Sequence, residues 1–336
     1  MSERLRVGVV GCGMIADRYV SDAPAFEHWA PVACTDLDVA ARDAFAAAHG
    51  LEAVTFDELL RDERIDLVLN LTPPAVHAAI VSAALSAGKH VYTEKPLATT
   101  AAEARSLVAQ ARTAGLRLGC APDTFLGAAY RTGKRLLEDG AIGVPVGANA
   151  TMLVGGPDTW HPNAEMFYRA GGGPLLDIAP YYLTAIVALL GRVEAAVGLT
   201  TTPTRVRTLG AGPAAGRTVT ADVPTHAAAV LRLESGALAT LTVSFEAREQ
   251  YISGLVLYGT EGSIALPDAN AFGGEVLLRR GRGEERVTYA GLDGKETRGL
   301  GVEDLALAIA ERRPHHASAD LALHVLETAE SVERAA

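Results

Sequence analysis

The sequence is poor in the features that nucleic-acid-binding, disulfide-rich and membrane-spanning proteins require. It carries 30 Lys and Arg against 40 Asp and Glu, a formal net charge of −10, and nucleic-acid binding needs a basic face. Its three cysteines form no C-x-x-C pair. The sequence also contains no H-E-x-x-H motif and no cluster of metal ligands. We therefore predict neither a disulfide framework nor a metal site. No run of about 18 apolar residues could cross a membrane. We therefore expect a cytoplasmic protein without a signal peptide and with no nucleic-acid or membrane partner.

Aromatic residues are also scarce, at 5% of a chain that is 49% hydrophobic. Alanine, valine and leucine must therefore fill most of the core. The length of 336 residues exceeds that of a typical single domain and predicts two domains.

The most informative stretch is RVGVVGCGMIA, residues 6–16. Its apolar, β-branched start is typical of a strand buried on both faces. In the G-x-G-x-x-A pattern that follows, Gly11 permits a tight turn and Gly13 lets a pyrophosphate approach the backbone. The next helix begins at Met14 and Ile15 and points its first N–H groups at the phosphates. The stretch predicts a dinucleotide site, the alternative being a plain strand–turn–helix packing motif.

An acidic residue follows a second predicted strand, residues 31–34. Asp36 lies about 20 residues after the glycines, where a carboxylate accepts hydrogen bonds from ribose hydroxyls. Because a carboxylate also repels a 2′-phosphate, Asp36 predicts NAD as the cofactor, and nearby Arg42 leaves NADP open. The alternative is that Asp36 caps the helix predicted at residues 39–49.

Strands and helices alternate from residue 6 to about residue 121, which predicts an α/β fold with a doubly wound parallel sheet. The further predicted strands are 66–71, 90–93 and 116–121, and the helices are 14–21, 39–49, 75–87 and one ending at 113. A T-x-x-E capping box, Thr100 and Glu103, begins the last of these helices. Ligands bind at the carboxyl ends of such strands, where Thr72 and Lys95 are expected.

Residues 70–77 read NLTPPAVH, Glu94-Lys95-Pro96 follows at a strand end, and GGGPLLDIAPYY follows at 171–182. In this order the motifs resemble those of the glucose–fructose oxidoreductase, inositol dehydrogenase and MocA-like (Gfo/Idh/MocA) family, over essentially the whole chain. The resemblance implies a Rossmann domain over residues 1–122 and an α+β domain over residues 123–336. The second domain would hold a large, mostly antiparallel sheet, and the nicotinamide would lie between the two.

The motifs and the resemblance together predict the residues that contact the cofactor. They are Gly11, Gly13, Met14, Ile15, Asp36, Thr72, Pro73, His77, Glu94 and Lys95. For His77 the alternative is a surface histidine.

Lys95 is the predicted catalytic cation. An ammonium in a half-desolvated cleft can hydrogen-bond a substrate hydroxyl and stabilise the oxygen charge that develops as hydride leaves. Burial also lowers a lysine pKa toward the range useful for acid–base work. In the family the Lys-Pro bond is often cis. The alternative is a lysine at a strand end, with the proline stopping the strand.

A helix predicted at residues 175–190 carries Asp177 and Tyr181, four residues apart and on one face. The commonest family pattern has a histidine where this chain has Tyr181. A tyrosine serves as acid or base if a cation such as Lys95 stabilises its phenolate. We therefore predict Tyr181 as acid/base and Asp177 as acceptor of a substrate hydroxyl, with His161 as the alternative base.

The turn-rich stretch 155–173 is expected to contact the substrate, because long loops often carry function. Its candidate residues are Trp160, His161 and Tyr168, beside Asp177.

The rest of the chain is rich in β-structure. The predicted strands are 144–154, 193–201, 217–221, 226–233, 237–244, 255–258, 263–266 and 275–280. The predicted helices are 123–139, 301–313 and 319–334. One sheet face should cover helices and the other needs a partner, so we expect a homodimer or homotetramer.

Three functions fit these patterns. The first is an NAD(P)-dependent oxidoreductase acting on a hydroxyl or carbonyl of a sugar, polyol or related compound. The second is hydrolysis or elimination through transient oxidation of a sugar. The third is a non-catalytic NAD-binding sensor.

Overall fold

The computed structural model describes residues 4–248, 251–289, 291 and 297–334. The chain divides into two compact units, the first formed by residues 1–126 and 292–323 and the second by residues 127–291 and 324–336. The chain therefore leaves the first unit and later returns to it. The assignment of residues 1–122 and 123–336 as functional domains stays a prediction.

The first unit is built on a six-stranded, wholly parallel sheet, as predicted. Its strands are β1 (Leu5–Val10), β2 (Trp29–Thr35), β3 (Glu52–Ala53), β4 (Leu67–Asn70), β5 (His90–Thr93) and β6 (Leu118–Cys120). Its order, β3-β2-β1-β4-β5-β6, is that of dinucleotide-binding sheets, whose ligands bind where the order reverses, here between β1 and β4.

Five helices connect or flank these strands. They are α1 (Met14–Asp22), α2 (Val39–His49), α3 (Phe56–Arg61), α4 (His77–Ser86) and α5 (Ala101–Ala114). Helix α2 has the predicted bounds because the Asp38 side chain caps its start and Gly50, at φ +67°, ends it. The prediction missed α3, although Thr55 and Glu58 form a capping box there.

The second unit begins with helix α6 (Ala128–Glu138) and contains a large mixed sheet. The sheet strands are β7 (Pro145–Leu153), β8 (Val193–Thr201), β11 (His226–Leu233), β12 (Leu238–Ser244), β13 (Ile252–Gly259), β14 (Gly262–Leu266), β15 (Leu277–Arg280) and β16 (Gly283–Arg286). A separate antiparallel pair consists of β9 (Val206–Thr208) and β10 (Thr218–Thr220). In the order β16-β15-β14-β13-β7-β12-β11-β8, all neighbours are antiparallel except β7 and β12. The predicted, mostly antiparallel sheet is confirmed.

The single helix predicted at residues 175–190 is wrong. Two helices occupy this stretch, α7 (Pro174–Asp177) and α8 (Ala179–Leu190), with Ile178 between them. Pro180 explains the break, because a proline has no N–H to donate to the carbonyl of Leu176 and its ring crowds that carbonyl. Asp177 therefore ends one helix while Tyr181 lies in the first turn of the next, so the two residues do not share a single helix.

The remaining helices are α9 (Leu300–Ala310) and α10 (Ala319–Arg334). Helix α9 belongs to the first unit. The side chain of Asp123 accepts the N–H of Gly301 at 2.9 Å, at the start of α9. Glu303 accepts the backbone N–H groups of Glu27 and His28 at 3.1 and 3.0 Å. These contacts tie the returning segment to the residues after β6 and to the loop before β2.

The half-buried His90 and the buried His324 predict a loss of stability in acid. His90 Nδ1 accepts the Arg117 N–H at 2.9 Å, and His324 Nε2 accepts the Val193 N–H at 3.0 Å. Burial lowers the pKa of both rings, so below pH about 6.5 the unfolded chain binds more protons than the folded one. The free energy of unfolding, measured in urea, should be constant at neutral pH and fall as pH drops below that value.

The His90→Asn variant provides the control for this pH dependence, because its amide oxygen keeps an acceptor near Nδ1 but does not titrate. Its unfolding free energy should fall less steeply in acid than that of the wild type. A stability that rises on acidification, or an identical slope in the variant, would contradict the assignment of His90 as a neutral acceptor.

Candidate active site

The glycine turn after β1 lies against the segment after β4. Gly11 has φ +94°, and a Cβ there would lie 2.9 Å from the carbonyl carbon of Leu71 and 3.0 Å from the nitrogen of Thr72. Any other residue at this position would be strained in its backbone and would clash with the neighbouring loop. The turn thus lies where the strand order reverses, at the switch point of the sheet.

Gly13 and the start of α1 form an open surface that fits a diphosphate. Gly13 is exposed, and a Cβ at this position would meet nothing within 4 Å. Helix α1 begins at Met14, whose side chain is 64% exposed, and Ile15 is half-buried. Because the first N–H groups of a helix have no intrahelical acceptor, this end is suited to an anion.

Asp36 fastens the glycine turn to the end of β2. Its Oδ2 accepts the Cys12 N–H at 2.8 Å and its Oδ1 accepts the Asp38 N–H at 2.9 Å. The alternative role as helix cap is wrong, because Asp38 caps α2 through the N–H groups of Ala40 and Ala41. The remaining lone pairs of the Asp36 carboxylate fit ribose hydroxyls, and Arg42 donates to Asp43 at 2.8 Å.

Replacing Asp36 by alanine should weaken NAD binding about tenfold or more, because hydrogen bonds to a charged acceptor contribute about 1.5–3 kcal/mol. NADP should be affected less, since removal of the carboxylate also removes repulsion of a 2′-phosphate. The two dissociation constants can be measured from the fluorescence of the reduced cofactors.

Asp38→Ala is the matched control, because it removes a carboxylate two residues away that caps α2 without contacting the glycine turn. It should lower stability by about 1 kcal/mol and leave the ratio of NAD to NADP affinity unchanged. An unchanged ratio in Asp36→Ala would exclude the ribose contact.

Polar side chains fix the segment after β4. Asn70 is fully buried and donates to Thr93 Oγ1 at 3.0 Å, and Thr72 Oγ1 donates to Asn70 Oδ1 at 2.7 Å. Pro73 follows in extended conformation and leads into the turn before α4. Asn70 was not among the predicted cofactor contacts, although its place at a strand end was a signal for it.

Glu94 holds the backbone of Lys95. The carboxylate is 9% exposed; it accepts the Tyr19 hydroxyl at 2.9 Å and the Lys95 N–H at 3.1 Å. Lys95 is half-buried, and the Lys95–Pro96 peptide is cis, as the family resemblance implied. Both Glu94 oxygens thus accept hydrogen bonds from protein donors. Glu94 therefore supports, from within the fold, the turn formed by residues 94–96, which we call the lysine turn.

His77 is buried, so the alternative of a surface histidine is wrong. Its side chain has 0% exposure at the start of α4. Nδ1 lies 2.7 Å from the Pro96 carbonyl oxygen, and Nε2 lies 2.7 Å from that of Thr72. With both nitrogens facing backbone oxygens, any effect of this ring on a cofactor passes through the segments it holds.

In the second unit, Tyr168 belongs to a buried ionic cluster. Its ring is fully buried, its hydroxyl donates to Asp158, and Arg207 lies 5.3 Å from its centroid. Arg207, with a fully buried side chain, also pairs with Glu246 and lies 3.6 Å from Asp158. The buried ring leaves Tyr168 no surface for a substrate, so its predicted contact is corrected: Tyr168 anchors the stretch 155–173.

Trp160 and His161 lie on this anchored stretch. Trp160 is 62% exposed and contacts His161 edge-on, at 5.2 Å between ring centroids. His161 Nδ1 accepts the Asn163 N–H at 3.0 Å, which assigns the proton of the neutral ring to Nε2. Burial lowers the pKa of His161 and the carboxylate of Asp177 opposes that shift. At neutral pH His161 therefore offers a donor, which disfavours it as the base.

Tyr181 and Asp177 also belong to the second unit. Tyr181 is 8% exposed in the first turn of α8, and Asp177 is half-buried at the end of α7. Their catalytic roles stay predictions. In the described ranges, no group of three potential ligands could hold a metal ion, and no helix has the length and apolarity that a membrane span demands.

Comparisons with known proteins agree with this geometry. Residues 5–121 match the model of an oxidoreductase family with an NAD-binding Rossmann fold, and residues 130–265 match the GFO/IDH/MocA C-terminal domain. A dTDP-3,4-didehydro-2,6-dideoxy-α-D-glucose 3-reductase from Streptomyces antibioticus is 34% identical over 80% of this chain and 77% of its own length.

Two solved structures share the fold over 99% of the chain. A levoglucosan dehydrogenase in complex with NADH and L-sorbose has a TM-score of 0.85 at 23% identity, with 96% of its chain covered. A 3-ketoreductase from Actinomadura kijaniata, in complex with TDP-benzene and NADP, has a TM-score of 0.78 at 25% identity, with 98% covered.

Proposed function

Because the chain belongs to the GFO/IDH/MocA family of NAD-binding oxidoreductases, we propose that it transfers a hydride between a nicotinamide cofactor and a hydroxyl or carbonyl carbon of a sugar. The proposal depends on two turns that follow strands of the same parallel sheet. One is the lysine turn after β5, and the other is the glycine turn after β1, where Gly13 leaves open space. The 3-reductase named above acts on a dTDP-linked keto sugar, and this supports a sugar as substrate.

NAD is the proposed cofactor, with NADP as the competing outcome of the Asp36→Ala test. When bound, the nicotinamide supplies the hydride acceptor or donor. Gly11, Gly13, Met14 and Ile15 would hold the diphosphate at the start of α1, and Asp36 the ribose. Thr72 and Pro73, after β4, would line the nicotinamide side.

Lys95 is assigned the electrostatic part of the reaction. Its ammonium donates a hydrogen bond to the sugar oxygen and stabilises the negative charge that oxygen bears as the C–H bond breaks or forms. Glu94 keeps the lysine backbone in place through the Lys95 N–H. We assign Tyr181 as the acid or base and Asp177 as acceptor of a substrate hydroxyl, with Trp160 and His161 as further substrate contacts.

A cofactor-reduction assay tests the proposal. The protein is mixed with NAD or NADP and with free sugars, polyols and dTDP-linked sugars, and the absorbance of reduced nicotinamide is followed in both directions. Net turnover with one of these compounds is the expected result. Product formation without net change in cofactor would indicate hydrolysis or elimination through transient oxidation. Cofactor binding with no chemistry across the panel would indicate a sensor and contradict the proposal.

The outer face of the large sheet is the proposed contact between copies of this chain. Val197 and Leu199 on β8 are 61% and 72% exposed, and Val230 on β11 is 44% exposed. Val230 pairs with Val197 and Ala228 pairs with Leu199, so these side chains form one continuous uncharged patch. A monomer rarely leaves such a patch in water, and a two-fold axis covers it with its own copy.

Leu199→Arg should convert the oligomer to a monomer, because it places a charge in the centre of that patch. Mass measured by light scattering after size exclusion reports the change. Val206→Arg on β9 is the control, since Val206 is 59% exposed outside the large sheet and should leave the mass unchanged. A monomeric wild type, or an unchanged mass in Leu199→Arg, would contradict this interface.

We also propose a cytoplasmic location. Cys12, Cys34 and Cys120 are free thiols, which fits a reducing compartment.

A further inference from the structure

His77 joins two segments that the sheet presents at neighbouring strand ends. The Thr72 carbonyl belongs to the segment after β4, and the Pro96 carbonyl belongs to the turn that carries Lys95. The His77 ring lies between the two oxygens, 2.7 Å from each, with no exposed surface. Asn70 fixes the Thr72 side chain and Glu94 fixes the Lys95 N–H, but each acts on its own segment.

The chemistry of the two partners defines what the ring must do. A backbone carbonyl oxygen can only accept, so each short contact requires a proton on the nitrogen that faces it. The neutral ring has one N–H, and only the imidazolium has two. Both contacts are therefore hydrogen bonds when the ring carries both protons. When it carries one, a nitrogen lone pair faces one of the two oxygens.

The groups around His77 shift the equilibrium between the neutral and the doubly protonated ring in opposite directions. Burial is the largest effect and lowers the pKa of His77. The carbonyls of Pro96 and Thr72 and the charge of Glu94 raise it, whereas the charge of Lys95 lowers it. Burial thus favours the neutral ring, and the ring donates to both carbonyls once a fall in pH gives it the second proton.

We propose that His77 is a positioning residue whose two ring N–H groups clamp the Thr72 and Pro96 carbonyls and thereby set the Lys95 turn against the segment that faces the cofactor. This proposal rests on the proposed function, since it assumes that the position of Lys95 matters for hydride transfer. The two contacts have separate consequences. The Nδ1 contact orients Lys95 and affects turnover, and the Nε2 contact orients residues 72 and 73 and affects cofactor affinity.

Two amide variants separate the contacts, because each keeps one donor. The amide nitrogen of His77→Asn lies near the position of Nδ1 and retains the Pro96 contact. The amide nitrogen of His77→Gln lies near Nε2 and retains the Thr72 contact. At a pH low enough for the wild-type ring to carry both protons, His77→Asn should keep kcat within about threefold and weaken NADH about tenfold, the loss expected for one buried hydrogen bond. His77→Gln should keep NADH affinity and lose about 100-fold in kcat, as expected when a reacting group is misplaced.

The pH profile adds a second comparison with the variants, and the ring protons of the wild type give a readout that does not depend on the folding of a variant. The wild-type kcat profile should contain a step below pH about 6.5 that both variants lack. Nitrogen-15 spectra in mild acid should detect slowly exchanging protons on both ring nitrogens of His77. A single ring proton throughout the acid range, or equal losses of kcat and affinity in both variants, would overturn the clamp.

Failure of the proposed function gives a different pattern. If the wild type turns over no sugar, the kcat comparison has no baseline and the hydride-transfer proposal fails. The NADH affinities and the ring spectra still decide whether His77 clamps the two carbonyls. If the wild type is active and the two variants do not differ from each other, the clamp fails and the enzyme assignment stands.

Discussion

Replacing Lys95 by alanine is expected to lower kcat about a thousandfold while NADH still binds with nearly wild-type affinity. Removing one donor to a developing oxyanion costs about 10²–10³ in rate, and loss of a positioned acid or base costs about 10²–10⁴. The lysine turn should survive the truncation, because its backbone is held by Glu94 and the Pro96 carbonyl by His77. Steady-state turnover and NADH fluorescence titration measure the two quantities.

Lys95→Arg separates charge from proton transfer. The guanidinium keeps the positive charge but does not deprotonate at working pH. Partial activity in Lys95→Arg would assign an electrostatic role, and activity as low as in Lys95→Ala would assign proton transfer or a strict geometric requirement. Wild-type turnover in Lys95→Ala would remove Lys95 from the mechanism.

Arg207→Met should destabilise the second unit by about 3–5 kcal/mol. The guanidinium is fully buried, and its loss would leave Glu246 without its paired cation and Asp158, 1% exposed, with the partly exposed Arg248 at 3.6 Å. Breaking one partner of a buried ionic cluster has a cost of this size, because an uncompensated charge remains inside the protein. Denaturant unfolding measures the change.

Two further variants make this test specific. Arg217→Met removes an exposed guanidinium that pairs with Glu165, and it should change stability little. Adding Asp158→Asn and Glu246→Gln to Arg207→Met should restore part of the lost stability, since no bare carboxylate then remains. Equal effects of Arg207→Met and Arg217→Met would contradict the buried cluster.

The fold was predictable where the local sequence pattern of an element favours the same structure that the element has in the whole fold. The β-branched start of β1 and its glycine turn define a dinucleotide-binding sheet, and the observed strand order is that of such sheets. Helix α2 was predicted to the residue because a capping aspartate and a left-handed glycine bound it. Strands β8 and β11 were predicted with their bounds because their composition and turns define them locally.

One wrong helix and one excluded alternative involve residues with two competing roles. Pro180 was included in a helix because the apolar spacing continues through it, whereas its missing N–H splits the stretch into α7 and α8. Asp36 and Asp38 are equivalent as sequence signals for a cap. Three-dimensional packing separates them, since the Asp36 carboxylate is occupied by the Cys12 N–H.

The buried polar groups could not be found from the sequence. Arg207 lies in a short polar strand that resembles an exposed edge, and its carboxylate partners lie 49 and 39 residues away along the chain. His77 was predicted to contact the cofactor, with a surface histidine as the alternative, and its burial between two carbonyls was not predicted. Its two carbonyl partners become neighbours only when β4 and β5 pair.

Deuterium transfer tests the central claim most directly. NADH or NADPH carrying deuterium at the transferable position of the nicotinamide is incubated with the enzyme and a panel of keto sugars, including dTDP-linked ones, and the products are analysed by mass spectrometry. We predict one deuterium on the carbon that changes from carbonyl to carbinol, and about a thousandfold slower labelling with Lys95→Ala. Tight cofactor binding with no deuterium in any sugar would contradict the assignment of this chain as a hydride-transferring enzyme.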